Sequence, residues 1–215
     1  MSAVKYALQK DEVPGIIQNR INELYKNQNK RDEEQKPTEK QEENLVPWND
    51  IAEKAKLYEG SDDDKLIAAL YTLQAPVRAD YGQMAVHIET VGKEGNELVI
   101  KGRKTSYFMF RDYKTSSTYG NVKVPVSPEL FDVLIADGVA ERNTLLRFPR
   151  TPERLADRVR TIFSKVTGKN VGIDILRHSY IMQHFPKMTT LPQKKELARR
   201  MLHSRDRQEK YNLVG

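Results

Sequence analysis

Apolar residues recur at helical spacing along most of the chain and alternate with polar ones in a single block between the helical stretches. In "VPGIIQNRINELYKN", Ile16, Ile17, Ile21 and Leu24 fall on one helical face, which predicts a helix. The following "QNKRDEEQKPTEKQEEN" is charged and nearly free of apolar residues, so it is expected to be a linker or exposed extension. The apolar pattern restarts at Trp48, Ile51 and Leu57, which divides the chain into an N-terminal segment, 1–44, and a main domain, 45–215.

Within that domain the helix signals are explicit. Ser61 and three aspartates open "SDDDKLIAALYTLQAP" and Pro76 closes it. "SPELFDVLIADG" opens with Ser-Pro and ends in Gly. "TPERLADRVRTIFSKVTG" opens with Thr151 and Pro152 and puts Leu155, Val159, Ile162, Phe163 and Val166 on one face. "DILRHSYIMQHF" and "LPQKKELARRML" complete the helical set. Between the helices lie four strand signals, "MAVHIET", "NELVIKG", "SYFMFRDY" and "NVKVPVS", separated by Gly or charged turns. The pattern predicts an α+β fold, mainly helical, with a small antiparallel sheet.

Composition narrows the chemistry. At 215 residues the chain can bury one substantial core. It has no cysteine, which removes disulfides, thiolate zinc sites and a cysteine nucleophile, and which fits an intracellular protein. No apolar run approaches a membrane span, and the start lacks a secretory h-region. Neither a Gly-rich phosphate loop nor a zinc motif is present, so no metal or cofactor is implied. The net charge of +6 is unevenly spread. Residues 141–215 hold 17 Lys or Arg against 7 Asp or Glu, a net of +10, and the remainder is slightly acidic. A basic last third is the footprint of a polyanion binder.

Four stretches carry candidate chemistry. "LQAPVRADYG" offers Arg78 between a Pro-terminated helix and the strands. "ILRHSYI" places Arg177 in an otherwise apolar helix, where a buried guanidinium needs an anionic partner. "MLHS" brings His203, with Tyr211 eight positions later in a polar run. "FRDYKTSSTYGNVKVPV" offers Lys114, with Lys101 and Lys104 nearby. In their order along the chain, the four stretches resemble the active-site boxes of tyrosine recombinases, the phage-integrase family, over roughly residues 45 to 215.

The resemblance implies that Arg78, Lys114, Arg177, His203 and Tyr211 are catalytic. It implies a catalytic domain that works on double-stranded DNA without metal, through a 3′-phosphotyrosine intermediate, as a tetramer on DNA. It also implies a mobile-element or viral setting. The residues suit that chemistry. Tyrosine can accept and return a phosphodiester once its proton is drawn off. Two arginines can clamp the charged oxygens of the transition state and remain charged at any working pH. A lysine can protonate the departing oxygen.

The chain departs from the family pattern at Asp174, where many members carry a histidine three residues before the second arginine. Asp174 could orient Arg177 or take the tyrosine proton, and it would repel phosphate. His178 neighbours Arg177 but points about 100° away, which suggests a packing or supporting role. The short N-terminal segment, and the few residues after Tyr211, suggest part of a longer protein. Two further classes stay open: a type IB topoisomerase, which shares this chemistry, and a DNA-binding module that has lost catalysis.

Overall fold

The protein is described by a computed structural model, which covers residues 15–34, 38–148 and 150–202. His203 and Tyr211 lie outside the described residues. Helix α1 spans Gly15–Glu34 and α2 spans Glu39–Asn44. Both intrude on the stretch expected to be a linker. Composition alone missed α2, because the element is set by a capping box rather than by an apolar face. Thr38 accepts from the Gln41 amide and the Gln41 side chain accepts from the Thr38 amide.

Helices α3 (Trp48–Lys56) and α4 (Asp62–Thr72) follow, then the strands, then α5 (Ser116–Tyr119), α6 (Pro128–Ala136), α7 (Pro152–Thr167), α8 (Ile173–His184) and α9 (Leu191–Arg200). Three of these helices start where the sequence places a cap. Ser61, Ser127 and Thr151 accept from the amides of Asp64, Leu130 and Arg154. Gly138 and Gly168 take positive φ just past the ends of α6 and α7, where only glycine is unstrained. Leu155, Val159, Ile162 and Phe163 on α7 are fully buried, and Val166 packs beside them. Helix α3 packs on α4, α7 and α8, and α4 packs on α6 and α7. Tyr81 joins this helical layer to the sheet. Its ring meets Tyr71 edge-on at 5.6 Å and Phe108 at 5.2 Å.

The sheet consists of β1 (Ala85–Ile88), β2 (Glu97–Ile100), β3 (Tyr107–Phe110) and β4 (Val122–Pro125), in that order. It is mixed, not antiparallel throughout. β1 pairs parallel with β2, whereas β2–β3 and β3–β4 are antiparallel. The reason lies in residues 89–96, which carry the chain back so that β2 enters from the same end as β1. Glu89 and Gly95 take positive φ in that return. The fully buried Glu97 carboxylate then holds it, accepting from the Gly92 amide and from Arg111 Nη2, both at 2.6 Å. At the sheet edges, β1 bridges to Thr144, and α9 packs along β4 with the Arg199 guanidinium donating to the Lys123 carbonyl.

Candidate active site

The segment after α4 carries Arg78. Tyr71, fully buried on α4, donates its hydroxyl to the Arg78 carbonyl at 2.7 Å and so fixes the backbone there. Gly82 lies against Arg150. The Arg150 amide donates to the Gly82 carbonyl at 2.7 Å, and a Cβ on Gly82 would collide with the Arg150 carbonyl. A glycine is therefore required for this loop to close on the Arg78 segment.

Arg177 sits in the middle of α8 with no exposed surface. Its Nη1 donates to the Pro76 carbonyl at 2.9 Å and to the Met201 carbonyl at 3.0 Å. Arg78 Nη1 donates to the Leu202 carbonyl at 3.2 Å. The two arginines therefore hold consecutive carbonyls of one turn, the turn that ends α9 and immediately precedes His203. Leu202 has a φ of 54°, in the left-handed region that leucine avoids at a cost on the order of 1–2 kcal/mol. It occupies the position after the helix where glycine is usual. In the segment of the recombinase family that "MLHS" resembles, this position is glycine.

Asp80 is the site residue that motif reasoning passed over. Burial pushes its carboxyl above the ordinary carboxylate range, and the charges of Arg78 and Arg177 pull it back. Its Oδ2 is buried without a hydrogen-bond partner among the described residues, and Arg78 bonds the Leu202 carbonyl instead.

Asp174 is exposed at the first turn of α8. It lines an open cleft of about 610 Å³ together with Lys40, Gln41, Arg78, Arg160 and Asn170. Three of these are cations, so the cleft suits an anion with Asp174 at its wall. His178 is buried, and Gln41 Nε2 lies 3.0 Å from its Nε2. The histidine is thus braced by α2, from within the stretch expected to be a linker. The Thr38-x-x-Gln41 capping signal could have revealed that element, though not its contact with His178.

Lys114 is exposed in the connection between β3 and β4. The next residue, Thr115, reaches the Leu202 carbonyl with its hydroxyl at 3.4 Å. Lys101 and Lys104 lie instead in the β2–β3 turn, whose Arg103 pairs with Asp132 on α6. Arg78, Arg177 and the Lys114 connection are therefore gathered at the 201–202 turn, Asp174 joins Arg78 through the cleft, and His178 faces α2.

The elements and their order define an α+β, mainly helical domain with a small mixed sheet and a recombinase-like fold. Among solved structures, the chain is similar to the crystal structure of XerA recombinase, with a TM-score of 0.54 and 13% sequence identity. The match covers 84% of this chain and 58% of that one, so the chain spans little more than half of that recombinase's length. At this identity the likeness shows the fold alone. No family model matches the sequence, and no curated protein matches it. Among the described residues, no helix is long and apolar enough to cross a membrane.

Proposed function

We propose that the chain is the catalytic part of a DNA recombinase of the tyrosine type, with residues 45–215 as the catalytic domain. Tyr211 gives up its phenol proton to solvent, attacks a phosphodiester of double-stranded DNA and becomes joined to its 3′ phosphate. The bond from phosphorus to the 5′ oxygen breaks, and Lys114 gives that oxygen a proton. Arg78, Arg177 and His203 neutralise the charge that builds on the non-bridging oxygens. The freed 5′ hydroxyl then attacks the matching link on a partner duplex, and full exchange takes four protomers. Insertion and excision by a mobile element or virus is the setting that suits such an activity.

The observation that carries the proposal is the convergence of Arg78 and Arg177 on the carbonyls of Met201 and Leu202. Two arginines far apart in sequence meet at the residues directly before His203. Among the described residues Arg78 forms no ion pair, and its guanidinium bonds the Leu202 carbonyl instead. The fold likeness to a recombinase points the same way.

The test is covalent capture. Wild type and Tyr211→Phe are incubated with a pool of short labelled duplexes, each nicked beside a randomised sequence so that the cleaved end diffuses away, and resolved on a denaturing gel. Wild type is expected to give a protein–DNA adduct and the Phe variant none, with melting temperature and DNA affinity nearly unchanged, as for loss of one hydroxyl. An adduct from the Phe variant would show that another residue is the nucleophile. No adduct from either, with DNA bound, would favour the binding module. Relaxation of supercoiled plasmid without strand exchange would favour the topoisomerase.

A further inference from the structure

The carbonyl oxygen of Leu202 has two donors on different elements. Arg78 Nη1 reaches it at 3.2 Å from the segment after α4, and Thr115 Oγ1 reaches it at 3.4 Å from the β3–β4 connection. Leu202 is held firmly enough to serve as such a junction. Its side chain is 2% exposed within the main core, and its amide donates to the Arg199 carbonyl at 3.1 Å. A non-glycine residue persists in the left-handed region only where its surroundings over-determine it, and here a buried side chain and two donors do so.

The connection carrying Lys114 is equally constrained. Tyr113, on one side of the lysine, is buried and donates its hydroxyl to the Gly120 carbonyl at 2.8 Å. Thr115, on the other side, accepts at its carbonyl from the amides of Thr118 and Tyr119 at 3.1 Å and opens the short helix α5. Lys114 itself is exposed. It therefore projects from a connection anchored on both sides, and among the described residues the Thr115 hydroxyl supplies the hydrogen bond that ties that connection to the turn that Arg78 holds.

We propose that Thr115 is a positioning residue for strand cleavage. By bonding the Leu202 carbonyl, it fixes the connection bearing Lys114 to the turn held by Arg78, so that the proton donor and the phosphate clamp keep one relative placement. The inference rests on the recombinase proposal above. In the step concerned, Tyr211 Oη gives up its proton to solvent and forms a bond to phosphorus, and the bond from phosphorus to the 5′ oxygen breaks. The Lys114 ammonium gives that oxygen its proton and becomes a neutral amine, and rejoining reverses each transfer. Proton transfer requires the donor within hydrogen-bond reach of the oxygen it serves. Releasing the connection from Leu202 would spoil that placement and leave the arginine clamp intact.

A structural hydroxyl and a positioning hydroxyl respond differently to the leaving group. Replacing the bridging 5′ oxygen by sulfur makes protonation unnecessary, because a thiol has a pKa of about 8.5 and departs readily as thiolate. Wild type, Thr115→Val and Thr115→Ser are compared in single-turnover adduct formation on the nicked, randomised duplex pool, once with oxygen and once with sulfur at the cleaved link. The expected result is that Thr115→Val slows adduct formation about tenfold on the oxygen duplex, as for a modest misplacement of a catalytic group. Duplex affinity stays unchanged, Thr115→Ser restores the rate, and the deficit vanishes on the sulfur duplex. If thermal melting shows that the Val variant does not fold, Thr115→Ala takes its place in the same comparison. Equal rates for wild type and variant on the oxygen duplex would overturn the proposal. So would a deficit of the same size on both duplexes, which marks a general loss of structure. If wild type forms no adduct on either duplex, the recombinase proposal fails and the positioning role falls with it.

Discussion

At the scale of single residues, the most informative position is Asp174. It stands at the first turn of α8, where a carboxylate complements the helix dipole, and it is exposed on the wall of a cleft lined by Lys40, Arg78 and Arg160. An anion entering that cleft meets three cations and one acid. Asp174→His removes the repulsion and restores the residue commoner in the resembled family, so adduct formation on the nicked duplex pool is expected to be kept or raised. A collapse of adduct with the fold intact would show the aspartate to be a working part. Leu202 gives a second residue-scale expectation. Leu202→Gly relieves the left-handed strain but empties a buried site, and cavity formation costs about 2–5 kcal/mol for loss of a leucine side chain, more than the strain returned. The variant should therefore melt at lower temperature than wild type in calorimetry. As candidates, Arg78, Arg177 and Lys114 were legible in the sequence because their residue types sit in ordered boxes. The roles of Gln41, Thr115 and the Leu202 carbonyl were not, because each acts through a contact made only when distant segments pack together.

At the scale of elements, the start of α4 shows how charge ties helices together. Asp64 is buried and its carboxylate takes a two-point bond from Arg158 on α7, while its amide donates to Ser61. Burial alone would raise the Asp64 pKa, but the bonds from Arg158 and Ser61 outweigh it and hold the carboxyl below its ordinary value of 3.8. A group depressed in the folded state adds stability that is fully present above its unfolded pKa and is lost as pH falls through the folded one. Asp64→Asn is expected to destabilise the protein by about 2 kcal/mol at neutral pH, the scale of a hydrogen bond to a charged group. The difference from wild type should shrink below about pH 4. Urea unfolding at neutral pH and in the acid range measures both. Helix limits were readable here because caps such as Ser61, Ser127 and Thr151 act within one turn of themselves. Strand direction was not. The parallel pairing of β1 with β2 depends on Glu97 and Arg111 folding the 89–96 return back along the sheet, a network that spans separate strands.

At the scale of the whole molecule, charge decides how the chain meets its proposed substrate. The last third carries a net of +10, while the rest of the chain is slightly negative. Binding to duplex DNA should weaken steeply as salt rises, because each phosphate contact releases condensed counterions. A fluorescence-anisotropy titration at stepped salt concentrations gives the slope, and a flat dependence would remove nucleic acid as the partner. The placement of α9 has another consequence. β4 presents Lys123 and Pro125 outward along its length. Its Lys123 carbonyl is already engaged by Arg199, and Pro125 has no amide hydrogen to offer. At the opposite margin, β1 is occupied by residues 143–145. Neither border of the sheet is left as a ready template for a further strand, so the folded domain has little means of growing into fibrils through its sheet, and any precipitate it forms on storage should lack the cross-β signature of amyloid.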